Sequence, residues 1–166
     1  MSAEVVTSLL TLLAAIVGGV LAIGGQALID WRRRKELQVN LASSFKAEIA
    51  SLMENWQRRD YESDFRGLLA AWERGEALDT VVGIPGGTNE LEPIYAANAS
   101  QIGLLKQKDA VDIVKFYNWV RQLQSDIDSL PSRPFHERLD LLRSGLPQFV
   151  RTRELGEDLI GRLSYS

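Results

Sequence analysis

Residues 5–29 read VVTSLLTLLAAIVGGVLAIGGQALI, and residues 31–35 immediately beyond them read WRRRK. No charged side chain lies between Glu4 and Asp30, whereas every Lys and Arg of the chain follows Asp30. As a helix rising about 1.5 Å per residue, the run reaches roughly 37 Å, more than the roughly 30 Å of hydrocarbon in a bilayer. Soluble core helices seldom extend this far without a charge. A cleaved signal peptide starts with a cationic segment, but here the polarity is reversed: Glu4 precedes the apolar run and Trp31, Arg32, Arg33, Arg34 and Lys35 follow it. The positive-inside rule then predicts one crossing, with residues 1–30 as a short external tail and transmembrane helix and residues 31–166 in the cytoplasm.

The apolar run has two faces. With residues placed about 100° apart, Glu4, Thr7, Ser8, Thr11, Ala14, Ala15, Gly18, Gly19, Ala22, Gly25 and Gln26 fall within an arc of about 140°. Val5, Val6, Leu9, Leu10, Leu12, Leu13, Ile16, Val17, Val20, Leu21, Ile23 and Leu28 occupy the remainder. The exceptions are Ile29 on the small face and Gly24 and Ala27 on the bulky one. Small residues let backbones approach closely in lipid, and hydroxyl or amide groups seek a partner or water there. One crossing per chain means the facing helix belongs to another chain. A homo-oligomer is therefore expected through the small face, and in a ring its hydroxyls and Gln26 would line a pore. Nothing charged lies mid-span, so no proton relay or voltage sensor is expected.

Averaged over 166 residues, this division disappears: 45% hydrophobic, 25% charged and a net charge of −3 describe an ordinary acidic globular chain. The absence of cysteine excludes a disulfide scaffold, thiolate metal sites and thiol catalysis. Beyond residue 30, nineteen cations meet twenty acids, which provides no global attraction to nucleic acid, and no direct nucleic-acid binding is expected. The cations at 32–35 are accounted for by topology and anionic lipid.

Residues 31–166 read as helical. Leu37, Leu41, Phe45, Ile49, Leu52, Met53 and Trp56 follow three- and four-residue steps, and neither Gly nor Pro interrupts 30–58, so the amphipathic helix is expected to continue the membrane helix without a break. The pattern re-phases near Asp60, and a second stripe of Phe65, Leu68, Leu69 and Trp72 is expected to end near Gly75. Gly83, Pro85, Gly86 and Gly87 make about 76–92 a connecting or partner-docking loop, and the absence of a following Gly-Lys-Ser or Gly-Lys-Thr argues against phosphate binding. Pro93 suits a first helical turn. Asp109 is placed to cap the next helix, whose stripe is Ile113, Phe116, Tyr117, Val120, Leu123, Ile127 and Leu130, with Val114 and Trp119 widening it. Pro131 should stop that helix, and two further helical stretches are expected, around Phe135–Leu142 and from about Gln148 to Leu163. The Asn98-Ala99-Ser100 sequon has no use on the cytoplasmic side.

Chemistry has little to work with. His136 is the single histidine, so histidine metal clusters and the HExxH zinc site are impossible. Ser132 and Asp140 are near it in sequence, but no Gly-x-Ser-x-Gly elbow is present, and a solvated side chain is the expected role. HEPN ribonucleases require an Arg several residues ahead of the His; here only Pro134 and Phe135 separate Arg133 from His136. Asp126 with Asp128, and Asp60 with Asp64, make no convincing metal or acid–base pair. The Trp and Tyr side chains mostly take stripe positions, which favours packing over base stacking. No catalytic residue, metal or cofactor is expected. A hydrolase or nuclease using His136 ranks third among the readings.

The order WRRRKEL, FKAEIASL, EPIYAANASQIGLL and VDIVKFYNWV resembles a loose group of small bacterial membrane proteins, across most of the chain. The layout is also similar to the membrane accessory proteins encoded beside type VI-B CRISPR effectors. That likeness implies a ring-shaped pore in the membrane that strengthens antiviral defence. The expectation is thus an all-α protein whose N-terminal transmembrane helix continues into a cytoplasmic helical bundle, self-associating in the bacterial inner membrane. The expected partners are the lipid bilayer and further copies of itself, forming a pore or membrane-perturbing element. The second reading is a passive tether whose bundle recruits a cytoplasmic protein.

Overall fold

The computed structural model describes residues 3–76 and 92–163, with side chains from residue 16 onward. The fold is all-α: α1 (Ala3–Arg59), α2 (Tyr61–Glu73), α3 (Pro93–Asn98), α4 (Gln107–Ser129) and α5 (Phe135–Arg162), with 3-10 turns at Ala99–Leu104 and Leu130–Ser132. Most of the 76–92 loop expected from sequence, including its Gly and Pro residues, lies outside the described residues. The chain divides within α1 into two compact units, 1–39 and 40–166.

In the first unit every described side chain from Ile16 to Leu37 is exposed. Side chains are described for 16–29 of the apolar run, a length of about 21 Å as helix. Among the described residues no helix is long and apolar enough to cross a membrane. The other half of the sequence-expected span, Val5–Ala15, is helical, but its side chains lie outside the described set.

The second unit is built on the end of α1. Leu41, Phe45, Ile49, Leu52, Met53 and Trp56 are buried along one side, and the helix stops at Asp60. Asp60 adopts the left-handed conformation (φ 48°, ψ 41°), which short polar side chains tolerate better than most. This turns the chain into α2, which buries Phe65, Leu68 and Trp72. Its end is a Schellman closure: Gly75, at φ 79°, donates its N–H to the Trp72 carbonyl, and Glu76 donates to that of Ala71, both at 3.0 Å.

Pro93 occupies the first turn of α3 as expected. Asp109 does not cap α4. The N-cap is Lys106, and Asp109 lies inside the first turn, where it accepts a 2.6 Å hydrogen bond from Arg162 at the far end of α5. Asp112 takes the other arm of the same guanidinium, also at 2.6 Å. The α4 stripe predicted from sequence is buried from Ile113 through Leu130, and Pro131 falls in the following 3-10 turn.

The two stretches expected after Pro134 form one helix, α5, with Pro147 in its interior. An interior proline removes one helical hydrogen bond and clashes with the preceding turn, costing about 3 kcal/mol. Leu142 and Phe149 are buried on either side of it, and burial of such side chains contributes roughly 1.5–3 kcal/mol each, enough to hold the helix through the defect. α5 packs on α2 and α4. Phe149 stacks on Trp56 with ring centroids 4.8 Å apart. At Gly156 the absence of a side chain is required: an added Cβ would lie 2.8 Å from the Met53 sulfur and 2.9 Å from a Phe116 ring carbon.

Candidate functional site

The residues that sequence singles out in the apolar run sit on one helix, in two groups. Thr7, Ser8, Thr11, Ala14 and Ala15 lie in α1 with their side chains outside the described set. Gly18, Gly19, Ala22, Gly25 and Gln26 are exposed, and a Cβ added at Gly18, Gly19 or Gly25 would meet nothing within 4 Å. Gln26 is engaged within its own chain, donating from Nε2 to Asp30 at 3.3 Å. The opposite side is equally open: Val20, Leu21 and Ile23 are 65%, 70% and 74% exposed. This stretch therefore exposes a bulky apolar face and, opposite it, a face of small residues and Gln26. In water such a helix has no stable environment, and its four glycines each lower helix stability by about 1 kcal/mol relative to alanine. In lipid the same backbone has no alternative hydrogen-bond partner, so helix is the state that satisfies it.

The basic cluster forms the end of this stretch. Trp31 is exposed, and the Lys35 ammonium lies over its indole, 5.3 Å from the ring centroid. Arg32, Arg33 and Arg34 are exposed and make no ion pair or hydrogen bond among the described residues. An amphipathic ring with a cation above it suits a boundary between an apolar phase and water.

The second unit holds a buried polar cluster that sequence reading missed. Glu48 projects from the buried side of α1 and accepts the N–H of Ile94 at 2.7 Å, the N–H of Tyr95 at 3.0 Å, and the hydroxyl of Tyr117. Since α3 has no side-chain cap of its own, this carboxylate serves as a cap supplied from another helix. Tyr95 and Tyr117 stack with centroids 4.2 Å apart. Glu92, 2% exposed, pairs with Arg121, whose guanidinium lies over the Tyr95 ring. Burial, opposed by Arg121 and reinforced by the charge of Glu48, raises the pKa of Glu92 above the usual carboxylate range. Burial and the Glu48 hydrogen bond push the Tyr117 phenol upward. The available signal was Glu48 itself, an acid at a stripe position between Phe45 and Leu52.

This cluster is a structural clamp. Glu48 has three donors on it, and a tyrosine held in its neutral form is a donor, not a nucleophile. A groove of about 330 Å³ runs alongside, lined by Ser51, Asn55, Pro93 and Ile94, with no second titratable side chain beside Glu48. His136 is exposed on the first turn of α5, and its sequence neighbours are occupied elsewhere: Ser132 donates to the Ser129 carbonyl, and Asp140 lies 3.9 Å from Arg143. Among the described residues no group of His, Asp or Glu could hold a metal ion. Comparison with protein-family models, with curated proteins and with solved structures finds no match to this chain.

Proposed function

We propose that the chain is a single-pass protein of the bacterial inner membrane, N-terminus outside and bundle in the cytoplasm, that self-associates through its small-residue face. In the assembled form it perforates or perturbs the membrane. One observation carries the reading: an uncharged helical run whose described large apolar side chains, from Ile16 to Ile29, are exposed, ending at Trp31 and four successive cations. Bulky residues on one side suit lipid, and small and hydroxylated residues on the other suit a second helix or water. A role in antiviral defence rests on the likeness in layout to the accessory proteins of type VI-B CRISPR systems.

The cysteine-free chain makes the test direct. Single cysteines in place of Ser2 or Ser132 are labelled in intact spheroplasts with a membrane-impermeant maleimide. Labelling at Ser2→Cys alone, with the protein retained in membranes at alkaline pH, is the expected result. Release at alkaline pH would overturn the span, and labelling of both positions would overturn the topology. Reconstituted into vesicles, an assembled pore releases a trapped ion; an oligomer that releases none is a tether.

A further inference from the structure

Extending the helical wheel past residue 29 divides the basic cluster between two faces. Arg32, Arg33 and Glu36 continue the arc of about 140° that carries the small residues, whereas Trp31, Arg34 and Lys35 continue the bulky face. The structure bears out the division locally, since Lys35 is seated on Trp31. On the other side, Arg32, Arg33 and Glu36 are all exposed, and their side chains make no hydrogen bond or ion pair among the described residues. Glu36 is one turn beyond Arg32 and three residues beyond Arg33, so both could reach it along the helix. That order, cation before acid, is the weaker one for a pair on the same helix.

We propose that this unpaired set is a self-complementary charge contact: Arg32 and Arg33 of one copy pair with Glu36 of a neighbouring copy, just beyond the cytoplasmic end of the membrane helix. The proposal rests on the self-association through the small face put forward above. The charge bias orients every copy in the same direction, so copies lie in parallel and equivalent residues sit at equal depth. Arg33 and Glu36 are then separated by only about 4.5 Å along the axis, within reach of two long side chains on adjacent helices. With both signs on one face, the partner that satisfies it is a second copy of the same face. Copies brought together by the glycines would otherwise place two unpaired arginines per chain against one another, and like charges across an interface oppose association. Glu36 neutralises part of that repulsion, and Arg34 and Lys35 remain on the lipid-facing side as the topological signal.

The test is oligomer mass and dissociation of the full chain in nanodiscs of zwitterionic lipid. Glu36→Arg, leaving three cations on the face, should weaken association tenfold or more. Arg32→Glu with Arg33→Glu, leaving three acids, should do the same. Combining all three substitutions, which restores mixed charge in reversed order, should bring association back to within about threefold of the parent. Arg34→Glu, a similar charge change on the other face, should leave it unaltered. A parent that is monomeric overturns both self-association and this contact. An oligomer indifferent to Glu36→Arg, a triple variant that fails to recover, or an equal effect of Arg34→Glu each overturns the contact alone. Circular dichroism of each variant confirms that the bundle is retained, so that a lost oligomer is read as a lost interface.

Discussion

The Glu48 carboxylate accepts a hydrogen bond from the Tyr117 hydroxyl, across sixty-nine positions of sequence, and with its remaining capacity holds the N-terminus of α3. One acid thereby joins α1, α3 and α4. Glu48→Ala would leave two backbone N–H groups and a phenol without their acceptor in a buried setting, and unmet groups of this kind cost roughly 1–3 kcal/mol each. The expected loss is about 3 kcal/mol in thermal or denaturant unfolding, with hydrogen exchange at Ile94 and Tyr95 accelerated before that of α4. Unchanged protection at those two amides would show that α3 is held by its apolar contacts alone.

Glu92 should give the fold an unusual pH response. Its pKa in the folded chain is raised, mainly by burial, so the folded state binds the proton more readily than the unfolded chain does. The stabilising contribution of protonation is fully present below the ordinary carboxylate range and is lost as pH rises through the raised value. Relative to Glu92→Gln, which cannot ionise, the parent chain should lose stability as pH increases from mildly acidic to neutral. Melting temperatures of the two proteins over that interval check the sign, and a difference that grows in favour of the parent with pH would contradict it.

Two glycines of α5 should respond in opposite directions to the same substitution. At Gly156 an added methyl collides with Met53 and Phe116, and overpacking of this kind costs typically 1–3 kcal/mol. At Gly145 nothing lies within 4 Å, so alanine should stabilise the helix by up to about 1 kcal/mol. Denaturant midpoints of the two single variants make the comparison without reference to any other protein.

The ends of α2 provide a second contrasting pair. Asp60 holds a left-handed conformation that glycine adopts without strain, and Asp60→Gly is expected to be neutral or stabilising by about 0.5–1 kcal/mol. Gly75 already uses that freedom to close the Schellman motif, and Gly75→Ala should cost about 1 kcal/mol. Urea unfolding followed by Trp fluorescence would detect both changes.

What sequence alone determined is local. The buried stripes of α1 and α4, the turn at Asp60, the stop at Gly75 and the start at Pro93 follow from helical periodicity and backbone preference, which depend on residues within a turn of each other. The two faces of the apolar run and the cations beyond it are legible for the same reason. Tertiary structure decided whatever depends on a distant partner. Asp109, readable as a cap, is held inside the first turn of α4 by Arg162, fifty-three positions away. The two stretches expected after Pro134 run on through Pro147 because Leu142 and Phe149 are buried on either side of it. Glu48, which the periodicity of α1 passes over, is the acceptor for two other helices. In each case local preference amounts to about 1–3 kcal/mol, and long-range packing or ion pairing of equal or greater size reverses it.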